Sequence, residues 1–271
     1  MAFTARDMTP RIGTEVEASR EVLLGGGHAT ALRELLEQRG VLVFRGLQLT
    51  DADQKVFAAT LGQVQGYAGN EGIQKISLDK KENPTADYLR GAFFWHIDGA
   101  SDDVPNLAAM LSAKVLAGEG GDTEFANTYA AHDDLTDDEK ARFETLKVVH
   151  SLEVSQYYVT PEPSYDELTR WQTHAPKVHP LVWTHRSGRK SLVLGSTASH
   201  VVGMSLEEGR ALLVRLRDHA TRRENVYTHK WTPGDTLIWD NTGTMHRVTH
   251  YELDSGRMMH RTTLLGEEAL V

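Results

Sequence analysis

Residues 91–101 read GAFFWHIDGAS, setting His96 and Asp98 two positions apart behind Phe93, Phe94 and Trp95. On a β-strand, residues i and i+2 project from the same face. The spacing predicts a strand whose imidazole and carboxylate point together, with Ile97 turned into a core. Two such groups on a rigid face can begin a metal site if a third ligand arrives from elsewhere. Taken alone, the pair also fits a hydrogen-bonded His–Asp couple at a strand end.

A further ligand is offered by GDTLIWDNTGTMHRV, residues 234–248. The apolar run before Asp240 reads as a strand, Asn241–Gly243 as a bend, and His246 follows. Two histidines and one carboxylate, with no sulfur, form the 2-His-1-carboxylate donor set of non-heme Fe(II) sites. The chain contains no cysteine. Disulfides, thiolate zinc sites, iron–sulfur clusters and a cysteine nucleophile are thereby excluded.

Around these stretches lie short β-like runs: VLVF at 41–44, LAAML at 107–111, SLVL at 191–194 and DTLIW at 235–239. Turn-forming GEGGD and TPGD separate some of them. Helical patterns occur in HATALRELLEQRG, ending at Gly40, and in LTDADQKVFAATLG, opening at a Thr50 cap. Thr136 with Glu139, and Ser205 with Glu208, match capping boxes. The expected fold is mainly β with flanking helices around a jelly-roll core, built as a single domain over 1–271. No repeat or linker divides the chain, and no strand leads into G-x-G-x-x-G, so a dinucleotide fold is not expected.

The 271 residues carry a formal net charge of −9. That balance disfavours a nonspecific nucleic-acid binder while leaving room for a small anionic substrate beside local arginines. Neither a signal-peptide core nor a membrane-length apolar run is present, so a cytoplasmic protein without membrane contact is expected. Homo-oligomerisation is left open.

The motifs together resemble the taurine dioxygenase and 2,4-dichlorophenoxyacetate dioxygenase family of Fe(II)/2-oxoglutarate-dependent oxygenases. The family's W-H-x-D corresponds to Trp95–Asp98, and its G-G-D-T to Gly120–Thr123. Its W-D-N…H corresponds to Trp239-Asp240-Asn241 and His246, with Arg257 eleven residues beyond. The likeness runs from GVLVFRG to RMMHRTTLLGEE; SGRKSLVLGSTASHVVGMSLEEGRALL and HATRRENVYTHKW look closest to the dichlorophenoxyacetate branch. The resemblance implies a double-stranded β-helix and the use of Fe(II), 2-oxoglutarate and O2. It implies His96, Asp98 and His246 as metal ligands, leaving Asp240 to structural hydrogen bonding. Thr123 and Arg257 would bind 2-oxoglutarate, the arginine through its fork-shaped guanidinium.

Arg261, four residues beyond Arg257 and expected on the same strand face, would meet the substrate anion, with Lys81 as a second contact. An aryloxyalkanoate-type carboxylate is the favoured substrate, with a sulfonate or alkyl sulfate as the alternative. Lys81 also fits a solvated charge run, DKKE. His200 is the least secure of the remaining histidines. One departure concerns Thr242, where the family carries Arg directly after W-D-N. A zinc hydrolase and a noncatalytic jelly-roll binding module are the rival readings, although H-E-x-x-H is absent.

Overall fold

Val41–Phe44 is buried at all four positions, as expected of a strand covered on both faces of its sheet. The computed structural model describes residues 3–66, 72–83 and 86–271. Its larger sheet runs Phe3–Asp7, Thr14–Ala18, Val41–Phe44, Thr236–Asp240, Ala108–Val115, Met258–Leu264, Gln74–Ile76. Every neighbouring pair is antiparallel except Thr14–Ala18 with Val41–Phe44. A smaller antiparallel sheet orders Val226–His229, Thr123–Asn127 and Thr244–Val248.

Strand alternation sorts the apolar residues into layers. Val41, Val43, Ala109, Leu111, Leu237, Trp239 and Met259 of the larger sheet meet Phe125 and Tyr227 of the smaller one. This is the interior of a double-stranded β-helix, or jelly roll. Leu42, Phe44, Met110 and Ile238 turn the other way, against Leu32, Leu36, Phe57 and Leu61 of helices Ala29–Arg39 and Asp51–Leu61. Phe44 and Phe57 meet edge to face at 5.4 Å. Such a pair contributes about 0.5–1.5 kcal/mol beyond its burial. Behind the smaller sheet, Ala126 and Met245 pack in a cluster with Leu212, Leu213 and Leu216 of helix Leu206–Ala220.

The helix boundaries follow their caps. Thr50, Thr136 and Ser205 each close a capping box, with Asp53, Glu139 and Glu208 respectively. Among the described residues, no helix is long and apolar enough to cross a membrane.

The strand expected through His96 and Asp98 does not form. His96 makes one isolated bridge to His246 and the chain then turns, with Gly99 at φ 73°. The cause is a side chain. Asn241 Oδ1 accepts from the Asp98 amide at 2.9 Å, and its Nδ2 donates to the Asp98 carbonyl at 2.8 Å. Both main-chain groups of Asp98 are thus withdrawn from any ladder. His96 and Asp98 converge through a turn and not through strand alternation.

Candidate active site

His246 is carried by strand Thr244–Val248, directly opposite Phe125, and its ring lies 4.7 Å from that of Trp239. His96 is tied to it by two main-chain hydrogen bonds, His96 N to His246 O at 3.1 Å and His246 N to His96 O at 2.9 Å. The next turn brings the Asp98 carboxylate opposite the Nε2 atoms of both rings. Its Oδ1 is 3.8 Å from His96 Nε2, and its Oδ2 is 3.7 Å from His246 Nε2. One ligand atom from each of the three residues lies within 4.8 Å of the others. The close passage of the neighbouring segment demands a glycine. A Cβ on Gly195, at φ 119°, would stand 3.0 Å from the His96 Cα.

The protonation states suit a cation. Burial opposes charge on Asp98, but Arg261, His246 and His96 outweigh it and hold the carboxyl down at about 2. Burial, then the adjacent His96, pushes His246 well below its ordinary 6.5 and keeps it neutral near pH 7. His96 Nδ1 is 2.8 Å from the Phe94 carbonyl, so its proton belongs there and Nε2 presents a lone pair.

Arg261 donates from NH1 to Asp98 Oδ2 at 3.2 Å and from NH2 to Gln74 Oε1 at 2.8 Å. Arg257 is only 5% exposed. Its NH2 donates to the Gly121 carbonyl at 3.1 Å, and its guanidinium lies 4.8 Å from the Tyr251 ring centre. Among the described residues it makes no carboxylate ion pair. A Cβ on Gly121, at φ 75°, would meet Arg257 Nε at 2.9 Å, which explains the glycine of G-G-D-T. Thr123 is buried on the inner face, and its hydroxyl accepts from Trp231 Nε1 at 3.0 Å. A bulge between Met258 and Met259 separates Arg257 from the regular part of its strand, so the four-residue count does not by itself set a common face.

The remaining sequence candidates fall elsewhere. Lys81 is exposed on a turn, its amide bonded to Asp79 Oδ1. His200 Nδ1 is 3.0 Å from Ser199 Oγ, and the residue borders a cavity of about 1490 Å³ shared with Phe94, Trp95 and Tyr158. Asp240 accepts from the Thr242 amide and hydroxyl at 2.9 and 2.7 Å, and burial raises its carboxyl from 3.8 to about 6. Gln74, Trp231 and the Phe94 carbonyl carry no signal in the sequence, and Asn241 stands there only as a member of W-D-N, without a role. Only the polar Asn241 placed straight after a buried strand could have signalled its role there.

Comparison with known proteins identifies the family of the chain. The model of the taurine catabolism dioxygenase TauD, TfdA family matches residues 4–263. The alpha-ketoglutarate-dependent 2,4-dichlorophenoxyacetate dioxygenase of Cupriavidus pinatubonensis is 35% identical over 98% of this chain and 99% of its own length. An alkylsulfatase of Acinetobacter baylyi is 32% identical over 97% of this chain and 84% of its own. The crystal structure of AAD-2 in complex with Mn(II) and N-oxalylglycine superposes with a TM-score of 0.87, at 36% identity and with full coverage of both chains. Match length and identity agree: this chain belongs to the TauD/TfdA dioxygenase family.

Proposed function

We propose that the protein is an Fe(II)- and 2-oxoglutarate-dependent dioxygenase that hydroxylates a small organic anion, an aryloxyalkanoate-type carboxylate. The observation that carries this reading is the convergence of His96, Asp98 and His246 on one point. Their donor set fits iron: a neutral imidazole with its lone pair inward, a second imidazole fixed by the Phe94 carbonyl, and an ionised carboxylate. The buried guanidinium of Arg257 fits the far carboxylate of the cosubstrate, because a buried cation without a carboxylate partner is costly until an anion reaches it.

When bound, iron and 2-oxoglutarate supply the dioxygen activation that yields succinate, CO2 and a hydroxylated product. The chain's own part is placement. Arg257 orients the cosubstrate through a fork that a lysine lacks. Trp231 occupies one acceptor position of the Thr123 hydroxyl and leaves its proton for the cosubstrate. Arg261 supplies the positive charge beside Asp98 that a substrate carboxylate needs. An alkyl sulfate substrate is the second reading, favoured by the alkylsulfatase relative.

A succinate-release screen across aryloxyalkanoates, sulfonates, alkyl sulfates and small carboxylates tests the substrate class. Uptake of a neutral substrate in preference to every anion would overturn it. Anaerobic Fe(II) with 2-oxoglutarate should give the weak visible absorption of the chelated cosubstrate; its absence would favour a hydrolase or a binding module. Arg257→Lys should weaken 2-oxoglutarate binding by roughly 1.5–3 kcal/mol while leaving iron affinity unchanged, as titration of that absorption would record.

A further inference from the structure

Asp240 ends its strand on the face that Ile238 turns toward the helices. A cleft of about 700 Å³ opens there beside helix Ala29–Arg39, with Arg33, Glu34, Glu37, Tyr129, Asp240 and Thr242 among its walls. Asp240 is 4% exposed. The amide and hydroxyl of Thr242 both donate to its Oδ1, whereas its Oδ2 is buried and has no hydrogen-bond partner among the described residues. The Tyr129 hydroxyl lies 3.2 Å from Thr242 Oγ1 and also gives the Asp240 carboxyl a weak stabilising contact.

Arg33 and Arg189 have partners of their own, although Arg33 also feels the Asp240 charge, and Arg186 lines the cleft beside them. Arg33 holds both carboxylate oxygens of Glu267, at 2.8 and 2.7 Å. Arg189 covers the Tyr129 ring at 3.7 Å and donates to the Glu37 carbonyl. Glu37 adds a like charge close enough to help burial raise the Asp240 carboxyl. Among the described residues, a carboxylate this buried, with one unpartnered oxygen and a second acid beside it, makes no ion pair of its own.

We propose that this cleft is a second ligand site that binds a small organic cation bearing a guanidinium group against Asp240 and Glu37. A planar fork of N–H donors matches a carboxylate edge and sheds water more readily than a compact ammonium. A bare metal ion fits less well. Among the described residues, the His96–Asp98–His246 triad is the cluster whose ligand atoms converge for one, and the acids of the cleft do not join it.

The test titrates the full-length protein with methylguanidinium chloride, followed by thermal unfolding and by ligand-observed NMR. Tetramethylammonium chloride at equal ionic strength serves as the cation that cannot donate hydrogen bonds. The expected result is saturable binding in the millimolar range with a rise in Tm, absent with tetramethylammonium. Asp240→Asn should weaken that binding at least ~10-fold, the loss of a charge-assisted contact. Thr242→Arg brings a tethered guanidinium to the same place, so it should raise Tm unaided and no longer respond to the probe. Equal responses to the two cations, or undiminished binding in the variants, would overturn the proposal. Should Asp240→Asn fail to fold, Glu37→Gln and Thr242→Arg decide the matter on the same readouts.

Discussion

Asp98 is a half-buried carboxylate and Asp240 a buried one, and Asn241 links them: it follows Asp240 in the chain and grips the main chain of Asp98. Their acidities nevertheless diverge, to about 2 for Asp98 and about 6 for Asp240. Burial disfavours charge at both positions. At Asp98, Arg261 and two histidines overcome it. At Asp240, two bonds from Thr242 meet burial and the like charge of Glu37, and burial prevails. Depth therefore does not decide whether an acid in this fold is charged; the sign and number of its neighbours do. One acid is ionised within a group that could hold a metal ion, while the other, at the edge of a cleft, releases its proton only near pH 6.

The largest effect should come from removing the charged member of the pair. Asp98→Asn keeps the shape but loses the anionic ligand, so iron-dependent succinate formation should vanish while far-ultraviolet circular dichroism stays unchanged. Full turnover in a folded Asp98→Asn protein would break the contrast. The link itself comes next. Asn241→Ala leaves the Asp98 amide, the Asp98 carbonyl and the Asn106 carbonyl without the partner each has now. Urea denaturation should record a loss of roughly 3–4 kcal/mol, and metal titration a fall in iron affinity of about 10-fold or more.

Asp240→Asn should act in the opposite direction, and only above a certain pH. The folded carboxyl titrates at about 6 against an ordinary 3.8, so between those values the native state holds the proton that the unfolded chain has released. Native stability then falls as pH rises through that window. Relative to the parent, Asp240→Asn should gain roughly 2–2.5 kcal/mol between about pH 4 and about pH 7.5, measured by urea melts at both ends. A flat difference across that range would mean that Asp240 is charged throughout. Smallest of all, Glu37→Gln removes one like charge from a partly exposed position. It should raise stability near neutrality by about 0.3–0.5 kcal/mol, a change suited to paired melts at low and high salt.

What the sequence made legible was local. The buried run Val41–Phe44, the caps at Thr50, Thr136 and Ser205, and the W-H-x-D and W-D-N segments all signal within a few residues. What it concealed depends on partners far away along the chain. The clamp of Asn241 on Asp98 spans 143 residues, and the bond from Trp231 to Thr123 spans 108. The strand expected at His96–Asp98 failed for that reason, because a distant side chain took the hydrogen bonds that a ladder would have used. Counting four residues from Arg257 to Arg261 likewise presumed unbroken alternation, and the bulge between Met258 and Met259 interrupts it. The pairing of Arg261 with Gln74 joins two strands of the larger sheet that no local pattern relates.

The paired main-chain bonds between His96 and His246 carry a consequence for metal exchange. The separation of the two imidazoles is set by peptide groups, so the chain needs no ion to hold its donors in register. A chelator should strip such a centre without melting the surrounding strands, and a returning ion meets a finished template. Metal then adds to stability only by mass action, growing with the logarithm of its free concentration. Cycles of chelation and refilling should therefore leave the far-ultraviolet circular dichroism of the protein unchanged.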